Sequence, residues 1–354
     1  MRILILNWRD IKNPAGGGAE RLTHELAKRW VIWGHSVTVF CAGYRGSLPD
    51  EYIDGVRIFR RGRWWNVHAL AVWYYFFRFK KATDVVIDEV HWYPFFAVFY
   101  AGNKTVLLAC EVAKKLFPVL FPKPLAALGR WIERIYFYLY RNVPTITISK
   151  STKDDLIAEG FNDRGITVIP LGVDMPRHLP KTKKENNPTL VYLGRINKQK
   201  GTEDALLAFD LVKNHFPEAN FWVIGEGPIK SHWRKNSVRF FGKVSETKKF
   251  SFLAKAHLLL FPSIHEGWGL VVSEAGLVRT PTIAYNVSGV RDVVMDGTSG
   301  ILTAPNPDSL AREAIRVLQD KKLYRVLQMG ALVQAKRRSW NLAARKALGV
   351  LLSV

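Results

Sequence analysis

Two glutamates, Glu266 and Glu274, lie on either side of a glycine-containing turn and a predicted helix start. The apolar run 258–261 is typical of a buried strand, and Gly267 and Gly269 allow the backbone to turn tightly into the following helix. The free N–H groups and positive dipole end of a helix N-terminus suit a diphosphate. Carboxylates beside it can accept hydrogen bonds from sugar hydroxyls. The segment is therefore a candidate phosphate and sugar site, although an ordinary helix start with two exposed acids fits the same residues.

The loop 194–201 is a second candidate for anion binding. It follows the predicted strand 189–193 and contains Arg195 and Lys200. Ligands of open parallel α/β sheets bind at the carboxyl ends of the strands. An arginine fork and a lysine charge there can neutralise phosphates and stabilise a departing diphosphate. Two cations on a loop are also common on solvated surfaces, so this interpretation depends on the two downstream glutamates.

A glycine-rich loop follows the first predicted strand and precedes a helix. Gly16, Gly17 and Gly18 could place backbone N–H groups against a phosphate or a sugar. The loop has neither the G-x-G-x-x-G spacing of dinucleotide-binding proteins nor the GxxxxGK[ST] pattern of phosphate loops. A plain tight turn is an equally good interpretation.

The composition is that of a globular, strongly basic protein. The chain of 354 residues is 48% hydrophobic and long enough for two domains with full cores. Its 52 Lys and Arg residues exceed its 30 Asp and Glu residues, and the formal charge of +22 favours polyanionic partners. The cysteines, Cys41 and Cys110, provide neither a disulfide framework nor a metal-ligand spacing. We therefore expect a cytosolic protein without a metal site, whose apolar runs fall short of the roughly 20 residues that span a bilayer.

Short apolar strands alternate with helical stretches, which predicts an α/β architecture with parallel sheets. The predicted strands of the first half are 2–8, 36–41, 56–60, 84–87, 104–109, 145–149 and 167–170, and those of the second half are 189–193, 220–225, 238–242, 256–261 and 282–285. The predicted domains are 1–175 and 189–335, joined by the polar, proline-bounded linker 176–188. The final segment, 336–354, is predicted to be helical, and packing back towards the first domain is one option for it.

In combination, these motifs give the chain a family resemblance. It resembles the retaining glycosyltransferases of the GT-B fold, in the large GT4-like family typified by sucrose, glycogen and phosphatidylinositol-mannoside synthesis. The matching segments are 16–18, 168–174, 194–201, 266–274, 288–290 and 293–302. The resemblance implies two Rossmann-like, doubly wound parallel-sheet domains that face each other across a cleft. It also implies that the second domain holds most of a nucleotide sugar and that the first holds an acceptor.

The resemblance assigns roles to particular residues. Arg195 and Lys200 would bind the donor diphosphate and, with Glu266, form the catalytic set, while Glu274 would bind the ribose hydroxyls. The remaining donor-binding candidates are Gly17, Gly18, Gly194, Lys243, Val244, Gly267, Trp268, Gly269 and Leu270, of which Lys243 and Val244 match the segment that holds the base. Transfer in this family retains the anomeric configuration and needs no metal or other cofactor. A UDP-sugar donor is expected ahead of a GDP-sugar.

One departure from the family pattern lies after the predicted strand 104–109. Relatives have a histidine there that contacts the donor sugar, whereas this chain has Cys110 followed by Glu111. His91, at the end of another predicted strand, could partly substitute for it, and a structural role beside Trp92 is the alternative. Cys110, Glu111 and His91 are therefore acceptor-side candidates, and we expect Cys110 to be a buried residue rather than a nucleophile.

Basic and aromatic residues are interleaved in the first domain, a mixture that suits a bilayer interface. The candidates for membrane contact are Arg60, Arg61, Arg63, Trp64, Trp65, Lys114, Lys115, Lys123, Arg130 and Arg134. The last three would share one stripe of a predicted helix with Arg141. Aromatic helices are also common in protein cores. Single-stranded nucleic acid binds to similar mixtures, but the sequence matches no known nucleic-acid module.

The leading hypothesis is a glycosyltransferase, peripherally bound at the cytosolic face of the cell membrane, that transfers a hexose or N-acetylhexosamine to a lipid-linked acceptor. Its expected partners are a nucleotide sugar, that acceptor and an anionic membrane surface, and no nucleic acid. Transfer to a soluble acceptor is a second hypothesis. A third is a weakly active subunit that binds a sugar nucleotide or a lipid, which the presence of Cys110 motivates.

Overall fold

The computed structural model describes residues 1–174 and 182–354, so residues 176–181 of the predicted linker 176–188 lie outside the described residues. The chain divides into two compact units. The first contains Met1–Gly172 and Trp340–Val354, and the second contains Val173–Ser339. Each is an α/β unit built on a mainly parallel sheet, which confirms the predicted fold class.

The first unit is built on an eight-stranded sheet. Its strands are β1 (Arg2–Leu6), β2 (Ser36–Cys41), β3 (Asp50–Ile53), β4 (Val56–Arg60), β5 (Val85–Val90), β6 (Thr105–Ala109), β7 (Thr145–Thr147) and β8 (Ile166–Val168). Their order is β3-β4-β2-β1-β5-β6-β7-β8, and only β3 runs antiparallel to its neighbour, β4. The loops after β1, β2, β4 and β5 therefore meet at one edge of the sheet.

The helices that precede residue 172 are α1 (Gly18–Ile32), α2 (Val67–Tyr74), α3 (Ala97–Tyr100), α4 (Phe117–Leu120), α5 (Lys123–Tyr140) and α6 (Lys150–Ala158), with a π-helical turn at Tyr75–Phe79. Helix α5 has Pro124 in its first turn, where the missing N–H of proline costs no hydrogen bond. Its inner face buries Tyr136, Phe137 and Tyr140 in a cluster with Leu107 of β6. The position of α5 is thus fixed by one aromatic face.

The second unit is built on a six-stranded parallel sheet. Its strands are β9 (Thr189–Leu193), β10 (Asn220–Ile224), β11 (Val238–Phe240), β12 (Leu258–Phe261), β13 (Thr282–Tyr285) and β14 (Gly300–Thr303), in the order β11-β10-β9-β12-β13-β14. Its helices are α7 (Thr202–His215), α8 (Glu246–Lys255), α9 (Leu270–Leu277), α10 (Val290–Val293), α11 (Pro307–Gln319) and α12 (Lys321–Lys336). Leu190 of β9 pairs with Leu258 of β12, so the loops after these two strands are neighbours.

The last helix, α13 (Trp340–Leu351), belongs to the first unit. It packs against α1, where the indole N–H of Trp30 donates to the carbonyl oxygen of Ala344 at 3.0 Å. A Cβ at Gly172 would lie only 2.2 Å from the backbone nitrogen of Trp340. The chain therefore returns to the first unit from residue 340, which lies within the segment 336–354 that the sequence predicts as helical.

Candidate functional site

The centre of the candidate site is an ion pair between the loops that follow β9 and β12. Lys200 Nζ lies 2.5 Å from Glu266 Oε1, and the hydroxyl of Ser263 donates to the same oxygen at 2.8 Å. Glu266 is buried, while Lys200 keeps part of its surface exposed. Since β9 and β12 are adjacent and parallel, these residues meet at the carboxyl edge of the sheet, where ligands of open α/β sheets bind.

Two glycines allow the loops around Glu266 to approach closely. Gly201 has a φ of +66°, and a Cβ there would lie 2.0 Å from the carbonyl oxygen of Pro262. Gly289 has a φ of +78°, and a Cβ there would lie 2.1 Å from the carbonyl oxygen of Glu266. Side chains rarely tolerate such φ angles, and here there is also no room for one. The loop spacing that places Lys200 against Glu266 therefore requires glycine.

Helix α9 begins at the turn that follows Glu266. Gly269 precedes its first residue, Leu270, with a φ of +91°. Among the described residues, no side chain caps this helix start. Uncapped N–H groups and the helix dipole favour an anion at such a position. The turn 267–270 is thus suited to hold a phosphate next to Lys200.

Glu274 contacts a different cation. Its buried carboxylate accepts a hydrogen bond from Lys249 Nζ of α8 at 2.8 Å, and Lys249 also bonds both carboxylate oxygens of Glu246 at 2.8 Å. Lys249 itself is buried. Lys249 is not among the predicted site residues, because the only signal in the sequence is an ordinary i, i+3 pair with Glu246. Any ribose hydroxyl that bonds Glu274 would have to share that carboxylate with Lys249.

Arg195 lies in the same loop as Lys200, and its side chain is exposed. The loop backbone is fixed, since the hydroxyl of Tyr192 donates to the Arg195 carbonyl oxygen at 2.7 Å. Gly225, with a φ of +140°, approaches so closely that a Cβ there would lie 1.8 Å from the carbonyl oxygen of Gly194. The guanidinium of Arg195 therefore extends into solvent from a rigid base, at the same edge as Lys200.

Lys243 and Val244 follow β11, at the carboxyl edge of an outer strand. Lys243 is exposed and Val244 is half-buried. The loop is joined to the one after β10 because the N–H of Gly225 donates to the carbonyl oxygen of Gly242 at 2.9 Å. Both candidates thus lie at the same edge of the sheet as Arg195, two strands away from it.

An arginine outside the predicted set of site residues supports the turn before α9. The guanidinium of Arg338 lies 4.9 Å from the ring centroid of Trp268, which is buried. Arg338 also donates to the hydroxyl of Ser273 and to the carbonyl oxygen of Val293, both at 2.8 Å. Burial lowers the pKa of Arg338 to about 10. Arg338 thus connects the turn, α9 and the end of α10, and no local sequence motif indicates this role.

The glycine loop of the first unit already uses part of its hydrogen-bonding capacity. The N–H of Gly16 donates to the carbonyl oxygen of Asn13 at 2.8 Å, and the N–H of Gly17 donates to Glu20 Oε2 at 2.6 Å. Gly18 is the first residue of α1. The N–H of Gly17 therefore already has an acceptor within the protein, the carboxylate of Glu20.

Cys110 and His91 lie near the same group of carboxylates. Cys110 is buried, and burial, followed by the charges of Glu89, Glu111 and Glu20, raises the pKa of its thiol well above the ordinary value. A thiol in that state is a poor nucleophile. Glu111 is half-buried.

His91 Nε2 lies 2.9 Å from Oε1 of the buried Glu89. Burial acts to lower the pKa of His91, but its hydrogen bond to Glu89 and the surrounding carboxylates outweigh that effect and raise the pKa. The side-chain amide of Asn7 donates to the other Glu89 oxygen at 2.7 Å. The ring of Trp8 stacks on His91 with centroids 6.2 Å apart. His91 is thus held in one orientation at the carboxyl edge of the sheet. The same carboxylates, Glu89, Glu111 and Glu20, raise the pKa of His91 and of Cys110.

Comparison with protein families covers most of the chain. Residues 16–177 match the family model described as Glycosyltransferase Family 4, and residues 175–331 match the model described as Glycosyl transferases group 1. Together the two matches extend from residue 16 to residue 331. The chain belongs to the GT4-like glycosyltransferases.

Relatives and solved structures agree with this assignment. Glycogen synthase from Mycobacterium tuberculosis is 24% identical over 360 residues, which cover 90% of this chain and 86% of that protein. The structure of sucrose-phosphate synthase from Thermosynechococcus elongatus matches with a TM-score of 0.81 at 17% identity, covering 99% of this chain and 98% of the other. Anabaena HepE in complex with UDP-glucose matches over 100% of both chains with a TM-score of 0.73 at 18% identity. The glycosyltransferase therefore has the GT-B fold.

The outer face of α5 carries an exposed apolar stripe in the first unit of this glycosyltransferase. Its members recur every three or four residues and are about half exposed: Leu125, Leu128, Trp131, Ile132, Ile135 and Tyr138. Lys123, Arg130 and Arg134 are exposed on the same helix. Within residues 1–174 and 182–354, no helix combines the length and hydropathy that a bilayer crossing needs.

The other membrane candidates differ in their surroundings. Arg63, Trp64 and Trp65 are exposed, and Arg61 is half-buried with its guanidinium 3.7 Å from the ring centroid of Phe59. Lys114 Nζ lies 2.5 Å from Glu159, and Lys115 Nζ lies 3.4 Å from Asp155. The positive charges of these two lysines are thus partly offset within the unit.

Arg60 does not lie on the surface that the sequence assigned to it. It is 2% exposed, and its Nε and Nη2 donate to the carboxylate of Asp10 at 2.7 and 2.8 Å. Its Nη1 donates to Glu51 at 2.6 Å. A buried arginine needs such partners, and both acids are too distant in sequence for a charge run to indicate them.

Proposed function

We propose that this glycosyltransferase transfers a hexose or N-acetylhexosamine, with retention, from a UDP- or GDP-sugar to a lipid-linked acceptor, while bound peripherally to the cytosolic face of the membrane. A UDP-sugar is the favoured donor, in line with the UDP-glucose complex of the structurally similar HepE. The observation that supports the acceptor class is the exposed aromatic and cationic face of α5.

On the donor side, the proposal rests on the cluster at the carboxyl edge of the second sheet. The bond between the sugar C1 and the diphosphate breaks, and the charge that develops on the diphosphate is stabilised by Lys200 and Arg195. The acceptor oxygen forms the new bond to C1, and its proton passes to the departing phosphate oxygen. Glu266, held by Lys200 at 2.5 Å, accepts hydrogen bonds from hydroxyls of the transferred sugar. These cations supply the charge stabilisation, so we propose a reaction that needs no metal or cofactor.

On the acceptor side, α5 has the properties of an interfacial helix. Its inner face is anchored by Tyr136, Phe137 and Tyr140, so the outer face presents Trp131 and Ile135 on a rigid support. Indole and aliphatic groups next to Arg130 and Arg134 match a bilayer interface with anionic headgroups. Trp131 is 62% exposed and belongs to a row of exposed apolar residues, and such contiguous apolar surface is typical of an interaction site.

Vesicle binding tests the proposal directly. Cosedimentation of the full chain with phosphatidylglycerol and phosphatidylcholine vesicles at low salt should show binding, and the double variant W131A/I135A should reduce it strongly. The double variant L207A/L211A is a matched control, because Leu207 and Leu211 are also exposed and four residues apart, on α7. If the native chain does not bind these vesicles and glycosylates only soluble sugars, the lipid-linked acceptor is wrong and a soluble acceptor is favoured.

Cys110 motivates the alternative of a weakly active binding subunit. Its burial and raised thiol pKa disfavour an ionised thiolate nucleophile, and the family resemblance implies a histidine at this position. Turnover of a nucleotide sugar by the native chain and by the C110H variant separates the two functions. Restored turnover in the variant would favour the weakly active subunit, whereas equal turnover supports the transferase with His91 at that edge.

A further inference from the structure

An open pocket of about 860 Å³ lies at the carboxyl edge of the first sheet. It is lined by the loops that follow β1, β2 and β4, which are adjacent and parallel. Two of these loops are joined by a hydrogen bond from the N–H of Gly43 to the carbonyl oxygen of Gly62 at 3.1 Å. The volume is that of a small-molecule site.

Three arginines line this pocket: Arg9, Arg45 and Arg63. The guanidinium of Arg9 lies 4.2 Å from the ring centroid of Trp8, another lining residue, and donates to the carbonyl oxygen of Ala15. The side chains of Arg45 and Arg63 are exposed, and within the described part of the chain neither forms an ion pair. Three arginine residues thus line one pocket, and two of them have exposed side chains.

The acids near the pocket are already neutralised. Tyr44 lines the pocket, and beside it Arg60 lies 5.4 Å from the Tyr44 ring centroid. Arg60 binds both Asp10 and Glu51, and Lys12 binds Glu51 as well. Glu20, 3.9 Å from Arg9 Nε, partly offsets that arginine, and no acidic residue is among those that line the pocket. The pocket therefore has a net positive charge that its own side chains do not balance.

Large aromatic groups border these cations. Trp64 and Trp65 line the pocket and are 67% and 65% exposed. Exposed indoles beside arginines suit a ligand with an apolar chain next to an anionic group. A neutral sugar in such a pocket would provide no negative charge to pair with the arginines.

We propose that this pocket binds a phosphoryl group of the acceptor, with Arg45, Arg63 and Arg9 around the phosphate and with Trp64 and Trp65 against the adjoining apolar chain. Guanidinium groups bind phosphate oxygens through paired, charge-assisted hydrogen bonds. The inference rests on the proposed lipid-linked acceptor and specifies its chemistry as a phosphate or diphosphate ester.

Farnesyl diphosphate is a suitable probe, titrated into the full chain at low salt and followed by calorimetry. We expect the double variant R45A/R63A to bind it at least about tenfold more weakly. The R164A variant, which removes an exposed arginine of the first unit outside the pocket, should bind like the native chain. Farnesol should not bind. Inorganic pyrophosphate should bind more weakly than farnesyl diphosphate, and W64A/W65A should remove that difference.

Several results would overturn the inference. Equal affinities of the native chain and R45A/R63A, or equal binding of farnesol, would exclude phosphate recognition by these arginines. Equal affinities for pyrophosphate and farnesyl diphosphate would exclude the lipid chain and indicate a soluble phosphorylated acceptor. A thermal-shift titration with UDP- and GDP-sugars on the same preparation separates this inference from the proposed function. Stabilisation by a nucleotide sugar without farnesyl diphosphate binding rejects only the pocket proposal, whereas the reverse pattern rejects the proposed UDP- or GDP-sugar donor.

Discussion

The two units differ in how they hold their cations. In the second unit, Lys200 and Lys249 each bond a buried carboxylate, Glu266 and Glu274. In the first unit, the exposed cations of the pocket and of α5 mostly face solvent. A paired cation is positioned before a ligand arrives, while an exposed one gains a partner when an anion binds. We therefore expect mutations in the second unit to alter turnover and mutations in the first to alter salt-dependent binding.

Replacement of Lys200 should have the largest effect. K200A removes the cation next to the departing diphosphate and leaves the buried carboxylate of Glu266 with the hydrogen bond from Ser263. Loss of such stabilisation typically lowers kcat by about 10²–10³-fold. Steady-state kinetics with a nucleotide sugar would measure it. K198A, at an exposed position of the same loop, should retain activity, and an equal loss in both variants would contradict the pairing.

Substitution of Gly201 tests the loop spacing beneath that pair. G201A places a Cβ 2.0 Å from the carbonyl oxygen of Pro262 at a φ of +66°, so we expect a loss of about 2–4 kcal/mol in the free energy of unfolding, measured in urea. Gly297 offers a matched control, because its φ is +67° and no described atom lies within 4 Å of its Cβ position. G297A should cost about 1 kcal/mol, and an equal cost for both variants would show that backbone strain alone explains the result.

Much of the sheet architecture follows from sequence, because buried parallel strands are short apolar runs. Two strands of the structure were not predicted. β3 (Asp50–Ile53) is a polar antiparallel edge strand, and β14 (Gly300–Thr303) is a short edge strand that starts with glycine. Neither has the continuous apolar run that marks a central strand.

The site residues show the same contrast: those marked by a local sequence motif could be predicted, whereas those defined by distant partners could not. Arg195 and Lys200 could be selected because each follows a recognisable strand. Lys249 and Arg338 could not be selected, because Glu274 and Ser273, which they bond, lie on a separate element, helix α9. Contacts between packed elements produce no characteristic residue spacing in the sequence. Arg60 was misassigned for the related reason that its partner Asp10 is 50 residues away.

Glu133 is a carboxylate of the first unit without a bonded cation among the described residues, and it should make stability depend on pH. It lies on the buried face of α5, and burial raises its pKa from 4.5 to about 7. The folded state therefore holds this proton more tightly than the unfolded state, and stability falls as the pH rises from about 4.5 to 7. The full difference corresponds to about 3 kcal/mol.

Urea unfolding from pH 5 to pH 8 would measure this dependence. The native chain should lose stability relative to E133Q as the pH rises, since glutamine does not ionise. E218Q, at an exposed position, should follow the native chain. A constant difference between the native chain and E133Q across this range would show that Glu133 does not titrate there.

The smallest effects should come from the exposed cations of α5. Each basic group near an anionic leaflet contributes about 1 kcal/mol, so R130A and R134A should each weaken vesicle binding about fivefold at low salt. Near 1 M salt the screening length is about 3 Å, and the native chain and the variants should then bind equally. Neither variant should change the unfolding midpoint, because both side chains are exposed. R325A on α12, also exposed, controls for net charge, and an equal loss in R325A would mean that general basicity, rather than the α5 face, determines membrane binding.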